Sequence, residues 1–225
     1  MKKYRHELKF IISSSQAKIL KHRLSMMMEI DENAFYKDNT YLVRSLYFDS
    51  PDNSAYYDKI NGVEKRKKYR LRIYNLDDRV IRLERKEKKG NLVNKKIIEV
   101  SKNDCENIMN GNYISNDDNL REFINDMKIK HLSPCVLVDY KRLAFTYPIE
   151  DTRVTFDENV SSGRFNYNLF SKDVLMYDIL GLNEVILEVK FNKSIPSHLA
   201  RILETIPALR VAISKFAYCY EKKEV

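Results

Sequence analysis

The chain has 225 residues, with 40 Lys or Arg against 32 Asp or Glu for a formal charge of +8, and its length suits one domain over residues 1–225. A hydrophobic content of 44%, with 15 Tyr and 10 Phe, excludes a disordered chain despite 32% charged residues. No run approaches the roughly 18 apolar residues of a membrane span, and the start MKKYRHELKF lacks a signal peptide's apolar segment.

Alternation of apolar and polar residues predicts a first strand over 4–12. A helix over 14–28 follows, opened by serines suited to an N-cap, with Ile19, Leu20, Leu24 and Met27 on one side. A second strand is expected over 40–49 and a short helix over 51–60. Strands over 68–74 and 80–88 flank a turn at 75–78, and Lys89-Gly90-Asn91 turns the chain into the strand KKIIEVS. Residues 101–109 form a helix with Asp104 placed as in a capping box. Strands over 134–147, 152–160 and 184–191 come next, then helices over 194–209 and 214–222. About eight strands joined mostly by short turns predict an α+β protein with an antiparallel, barrel-like core.

The charges alternate within those strands. Arg70 and Arg72 share one face, with Leu71 and Ile73 on the other. Arg82, Glu84 and Lys86 oppose Ile81 and Leu83. Glu188 and Lys190 oppose Leu187, Val189 and Phe191, while Glu7 and Lys9 oppose Leu8 and Phe10. Arg153 and Thr155 oppose Val154 and Phe156, and Arg142 lies among apolar neighbours. Two arrangements fit the pattern: an ordinary barrel with charges outside, or apolar faces packed outward under helices around a charged lumen. The second would line a tunnel with Lys9, Arg70, Arg72, Lys86, Arg142, Arg153 and Lys190 against Glu7, Glu84 and Glu188. Such a lining suits a linear polyanion: Arg grips phosphate oxygens in pairs, Lys adds point charges, and the few carboxylates suit a divalent metal shared with phosphates.

Five widely spaced glycines leave no GxGxxG or GxxxxGK[ST] motif, so side chains rather than loop amides would hold any phosphate. Cys105, Cys135 and Cys219 give neither a CxxC pair nor a disulfide framework, which predicts a reducing, cytoplasmic setting. Four scattered histidines offer no zinc motif, and Tyr41, Tyr47, Tyr56 and Tyr57 are expected to pack the core and barrel mouth.

In order, YRHELKF, LYFDS, YRLRIY, RLERKEK, DYKRLAF, RVTFDENV, ILEVKF and SKFAYCYE resemble the VTC domain of polyphosphate polymerases, of the triphosphate tunnel metalloenzyme superfamily. The resemblance implies an eight-stranded closed antiparallel β-barrel with flanking helices and a lumen holding triphosphate and Mn²⁺ or Mg²⁺. It implies transfer of the ATP γ-phosphate to a growing polyphosphate chain, with release of ADP. It assigns phosphate contacts to Arg70, Arg72, Lys86, Arg142, Arg153 and Lys215, with Lys9 and Lys190 beside them, and the metal to Glu188. Arg70, Arg72, Lys86 and Lys215 are the expected catalytic residues. Either Lys95 or Lys96 could add a further lysine. The relatives that hydrolyse triphosphate carry ExExK in the first strand where this chain has His6-Glu7-Leu8-Lys9, and the missing carboxylate favours the polymerase. ATP and inorganic polyphosphate are the expected partners, without nucleic acid, and passage across a membrane would need a separate protein. Competing readings are a triphosphate hydrolase on the same barrel, a non-catalytic polyphosphate-binding sensor, and an RNA-binding module, which would set exposed aromatics beside its basic residues.

Overall fold

The computed structural model describes residues 5–221 apart from 33, 35–37, 91, 114–116 and 164. Tyr4, Asn91 and Lys222, which fall within predicted elements, lie outside the described residues. In chain order the elements are β1 (His6–Ser13), α1 (Ser14–Ser25), β2 (Glu29–Ile30), β3 (Tyr41–Asp49), α2 (Ser54–Ile60), β4 (Lys65–Tyr74), β5 (Asp77–Lys89) and β6 (Leu92–Val100). There follow α3 (Lys102–Met109), α4 (Asp118–Ile129), β7 (Ser133–Tyr147), a 3-10 turn (Ile149–Asp151), β8 (Thr152–Ser162), β9 (Tyr177–Asp178), β10 (Glu184–Phe191), α5 (Ser197–Glu204) and α6 (Lys215–Glu221). They form two compact units. The first comprises Met1–Leu42, Tyr140–Ser161 and Asp178–Ser214; the second comprises Val43–Asp139, Ser162–Tyr177 and Lys215–Val225.

In the first unit the sheet runs β1-β10-β8 and on to the second half of β7. Its alternation puts Ile12, Val154, Phe156, Leu187 and Val189 on one side, where Ala17, Leu20 and Leu24 of α1 and Leu199 of α5 cover them. Helix α1 starts as its serines suggest: the Ser13 hydroxyl accepts from the Gln16 amide at 3.2 Å, and the Gln16 side chain accepts from the Ser13 amide at 2.8 Å. This reciprocal cap satisfies two amides that the first turn leaves without partners.

The second unit carries the first half of β7 and the meander β3-β4-β5-β6. Leu46, Phe48, Tyr69, Leu71, Ile73, Ile81 and Leu83 point to one side, beneath Cys105 and Ile108 of α3 and Leu120, Phe123, Ile124 and Met127 of α4. Helix α4 is absent from the sequence prediction, although its four apolar residues have the i, i+3, i+4, i+7 spacing of a helix face and Asp117 caps it. Each large side chain buried there contributes about 1.5–3 kcal/mol. Within the same core the Arg44 guanidinium donates to both Asp139 oxygens at 2.8–3.1 Å, and it also donates to the Ser171 carbonyl, anchoring the segment after Ser162.

The α+β class and antiparallel pairing are as expected. The closed eight-stranded barrel is not: eight of the ten described strands lie on a hydrogen-bonded path that ends at β1 on one side and β6 on the other, while β2 and β9 pair beside it with β7 and β8. The outer edge of β1 is already occupied, because the Val211 amide donates to the Lys9 carbonyl at 2.9 Å and Phe10 bridges to Arg210. β6 keeps a strand edge that no described strand pairs with. No helix among the described residues is long and apolar enough to cross a membrane.

Candidate functional site

In both units the helices cover the apolar side of the sheet, so the alternating charges collect on the other side. In the second unit, register sets Lys68, Lys86 and Lys95 side by side across β4, β5 and β6. Arg70 and Glu84 form the next rung and Arg72 and Arg82 the one after, with Tyr47 and Ser45 of β3 opposite Arg70 and Arg72. Three like charges in one rung destabilise a bare sheet. Glu84 is 1% exposed and is the centre of the cluster. Its Oε2 accepts from Arg70 Nε at 2.6 Å, its Oε1 accepts from Lys95 Nζ at 2.7 Å, and Arg72 Nη1 is 3.9 Å away. Arg70 also donates to the Tyr47 hydroxyl at 2.7 Å, and Arg72 to the Ser45 hydroxyl at 3.1 Å.

Burial works against the Glu84 charge, but Arg70, Arg72 and Lys95 together outweigh it and hold the carboxyl well below the usual carboxylate range. Burial, then the Arg70 charge, brings Lys95 down to about 7 against the pull of Glu84. Burial, with Arg66, Lys59 and Lys86 nearby, brings Lys68 down to about 7 as well. These ammonium groups lie where an added anion would restore their charge. The choice between neighbouring lysines is geometric: Lys95 meets Glu84, whereas Lys96 is on the helix side, 2.7 Å from Glu122 of α4. Lys215 opens α6, and the next residue, Phe216, stacks on Tyr47 at 5.2 Å and lies under the Lys68 ammonium at 4.3 Å.

In the first unit the charged side carries Glu7 and Lys9 of β1, Glu188 and Lys190 of β10, and Arg153, Thr155 and Asp157 of β8. Glu188, 4% exposed, lies 3.4 Å from Lys9 Nζ and 2.9 Å from Lys190 Nζ. Glu7 shares both lysines at 3.6 and 3.8 Å. Arg142 is committed to Asp157, with two bonds of 2.6 and 2.7 Å. Burial works against its charge, and the Asp157 carboxylate outweighs burial and holds the guanidinium protonated. Arg153 lies 2.6 Å from Asp31 and donates to the Tyr41 hydroxyl at 3.0 Å. Thus Glu188 gathers Lys9 and Lys190, while Arg142 and Arg153 are held by carboxylates of their own.

Sequence reasoning passed over Asp31, Asp157 and Lys68. Asp157 follows Phe156 in a run that alternation already describes as a strand, so its parity with Arg153 was available. Asp31 has no such signal, because only the fold brings it to Arg153. The Thr155 hydroxyl, opposite Glu188 in register, is buried without a hydrogen-bond partner among the described residues. Glu7 and Glu188 are hard oxygen donors without a nearby His or Cys ligand, and no group of three or more metal-ligating side chains occurs among the described residues. They fit Mg²⁺ or Mn²⁺ in the mode where one or two carboxylates hold the ion and phosphates and water complete its shell.

The VTC domain family model matches residues 4–223. No curated protein is significantly similar in sequence. A solved Hippeastrum structure, of a candidate adenylyl cyclase described as having a dominant triphosphatase activity, is similar at a TM-score of 0.56 and 15% identity, covering 99% of this chain and 96% of that one. A candidate adenylate cyclase from Bacillus halodurans is similar at a TM-score of 0.51 and 14% identity, covering 91% of this chain and 88% of that one. At such identities the likeness is one of fold.

Proposed function

The chain belongs to the VTC domain family, and from that premise we propose that it is a metal-dependent phosphotransferase that extends polyphosphate with ATP. A terminal oxygen of the acceptor chain attacks the γ-phosphorus, the bond to the β-phosphate oxygen breaks, and ADP leaves. The observation that supports this reading best is the rung of Lys68, Lys86 and Lys95 beside the Arg70–Glu84–Arg72 cluster, where cations exceed carboxylates. Arg70 and Arg72 grip the nucleotide's phosphates through planar forks, while Lys86 and Lys95 neutralise charge; phosphoryl transfer needs little beyond positioning and neutralisation. Lys215 adds a cation from α6. Glu188, with Glu7, would hold Mn²⁺ or Mg²⁺, an ion whose chemistry is charge neutralisation. Lys9 and Lys190 orient the Glu188 carboxylate.

A triphosphate hydrolase is the second reading, suggested by the activity described for the Hippeastrum protein of similar fold. The two differ in whether phosphate or water attacks. Incubating the protein with ATP and Mn²⁺ and measuring polymer and free phosphate together separates them. Long polymer is the expected product. Free phosphate alone, at every primer concentration, would replace the polymerase reading with the hydrolase.

A further inference from the structure

On the helix side of the second unit's sheet, away from Glu84, lies a cavity of about 350 Å³. Its floor is apolar, formed by Phe48, Tyr69 and Leu132, with Ala55 of α2 beside them. Its remaining lining is mostly basic: Lys65, Arg66, Lys67, Lys88, Lys89 and Lys130 against only Asp58 and Glu87. We propose that this cavity is a second anion site, separate from the charged face, that takes a short inorganic oligophosphate.

The strand register carries the argument. Lys65 stands directly opposite Lys89, while the next pair, Arg66 and Lys88, alternates to the side of Lys68 and Lys86; Lys67 has an acid, Glu87, across from it. Like charges opposite one another weaken an antiparallel pair, so this end of the hairpin is destabilised unless an anion lies between the cations. On the helix side the counter-charge is small. Lys67 takes Asp126 at 2.8 Å and Glu87 at 3.5 Å, and Arg66 donates to the Val63 carbonyl at 2.6 Å rather than to a carboxylate. Lys65 and Lys89 form no ion pair among the described residues. Burial also pulls the Arg66 guanidinium down, with only Asp58 opposing it.

The shape selects the occupant. At about 350 Å³ the cavity is at the small end of ligand sites. Its aromatic residues, Phe48 and Tyr69, are buried in the floor, so it lacks the successive stacking platforms that a nucleic-acid strand requires. A linear oligophosphate presents several anionic oxygens within a narrow width, so Lys65, Lys89 and Lys130 can contact one molecule together.

Calorimetric titration of the full chain with tripolyphosphate, without ATP or divalent metal, tests the site independently of any catalytic assignment. Two sites per chain are expected. The double variant Lys65→Glu, Lys130→Glu should weaken one of them by about tenfold or more, the effect of losing two charged contacts, and leave the other unchanged. The new Glu would stand opposite Lys89, so folding is favoured rather than threatened. Lys130→Gln alone, which alters no strand pair, should weaken the same site about threefold. Arg72→Lys should weaken only the other site. A single site per chain in the parent, or unchanged affinities at both sites in the double variant, would overturn the proposal.

Discussion

The charged faces of the two units share a construction and differ in balance. In the first unit, Lys9, Lys190, Arg142 and Arg153 meet Glu7, Glu188, Asp157 and Asp31, so every cation named has a carboxylate beside it. In the second, one buried carboxylate, Glu84, serves Arg70, Arg72 and Lys95, and Lys68 and Lys86 stand in the adjacent rung. The first face is balanced in charge, whereas the second carries an excess of cations, the balance on which the proposed phosphate grip rests. Alternating charge by itself therefore says little about a face; the count of carboxylates per cation separates a balanced face from a cationic one.

The contrast breaks most sharply at Glu84. Glu84→Gln leaves Arg70, Arg72 and Lys95 without their shared counter-ion, and removing one partner of a buried ionic cluster costs about 3–5 kcal/mol. Urea unfolding should show that loss, and tripolyphosphate should restore more stability to the variant than to the parent. A variant as stable as the parent would mean that Glu84 does not hold the cluster.

The corresponding change in the first unit is expected to act on chemistry instead. Glu188→Gln should reduce turnover of ATP by about 10², with a smaller loss of stability, because Lys9 and Lys190 keep 22% and 30% of their side-chain surface in water. Undiminished turnover with Mn²⁺ would remove Glu188 from the reaction.

A third expectation concerns pH. Lys68 and Lys95 are brought down to about 7 in the folded chain, whereas an unfolded lysine titrates near 10.4. Below pH 7 both states carry the proton and the folded chain bears the full penalty; as pH rises from about 7 towards 10, only the unfolded state keeps it, so the ligand-free protein gains stability. Lys95 keeps 37% of its side-chain surface in water, so its share is modest. Triphosphate binding should weaken over the same window as the ammonium charges are lost. Urea midpoints and titrations at about pH 6.5 and 9 would check both directions; affinity that rises with pH would contradict this account.

The smallest effect is expected at Thr155. Its buried hydroxyl has no hydrogen-bond partner among the described residues, so Thr155→Val should change stability by no more than about 0.5 kcal/mol. Turnover should nonetheless fall severalfold if the hydroxyl meets the ligand bound beside Glu188. Equal turnover in the two proteins would reduce Thr155 to packing.

Alternation made much of this fold legible. The strand expected over 184–191 is β10 itself, and the predicted faces of Arg70, Arg72, Glu84 and Lys86 agree with the observed register. The helix-covered apolar side was one of two arrangements left open by pattern, because period two separates faces without saying which one the helices cover. Closure was not legible: whether β1 meets another strand or the segment at Arg210 depends on contacts between residues some two hundred positions apart. Ion-pair partners such as Arg153 with Asp31, or Arg44 with Asp139, are likewise set by the fold. Helix α4 is a different case, since Leu120, Phe123, Ile124 and Met127 carried the helical period throughout.

The pairing of β1 with β10 joins His6 to Phe191 and Ser13 to Glu184. During synthesis β1 must wait for β10, which follows all the other strands, whereas β4, β5 and β6 pair through adjacent hairpins as soon as they appear. Local pairings form fast and distant ones slowly, so the cation-rich meander should mature first and the Glu188 face last. Until then Leu8, Phe10 and Ile12 depend on α1, the next element in the chain, for cover. Under the proposed function, an incomplete chain would thus assemble the Arg70–Glu84–Arg72 cluster before Glu188 meets Lys9.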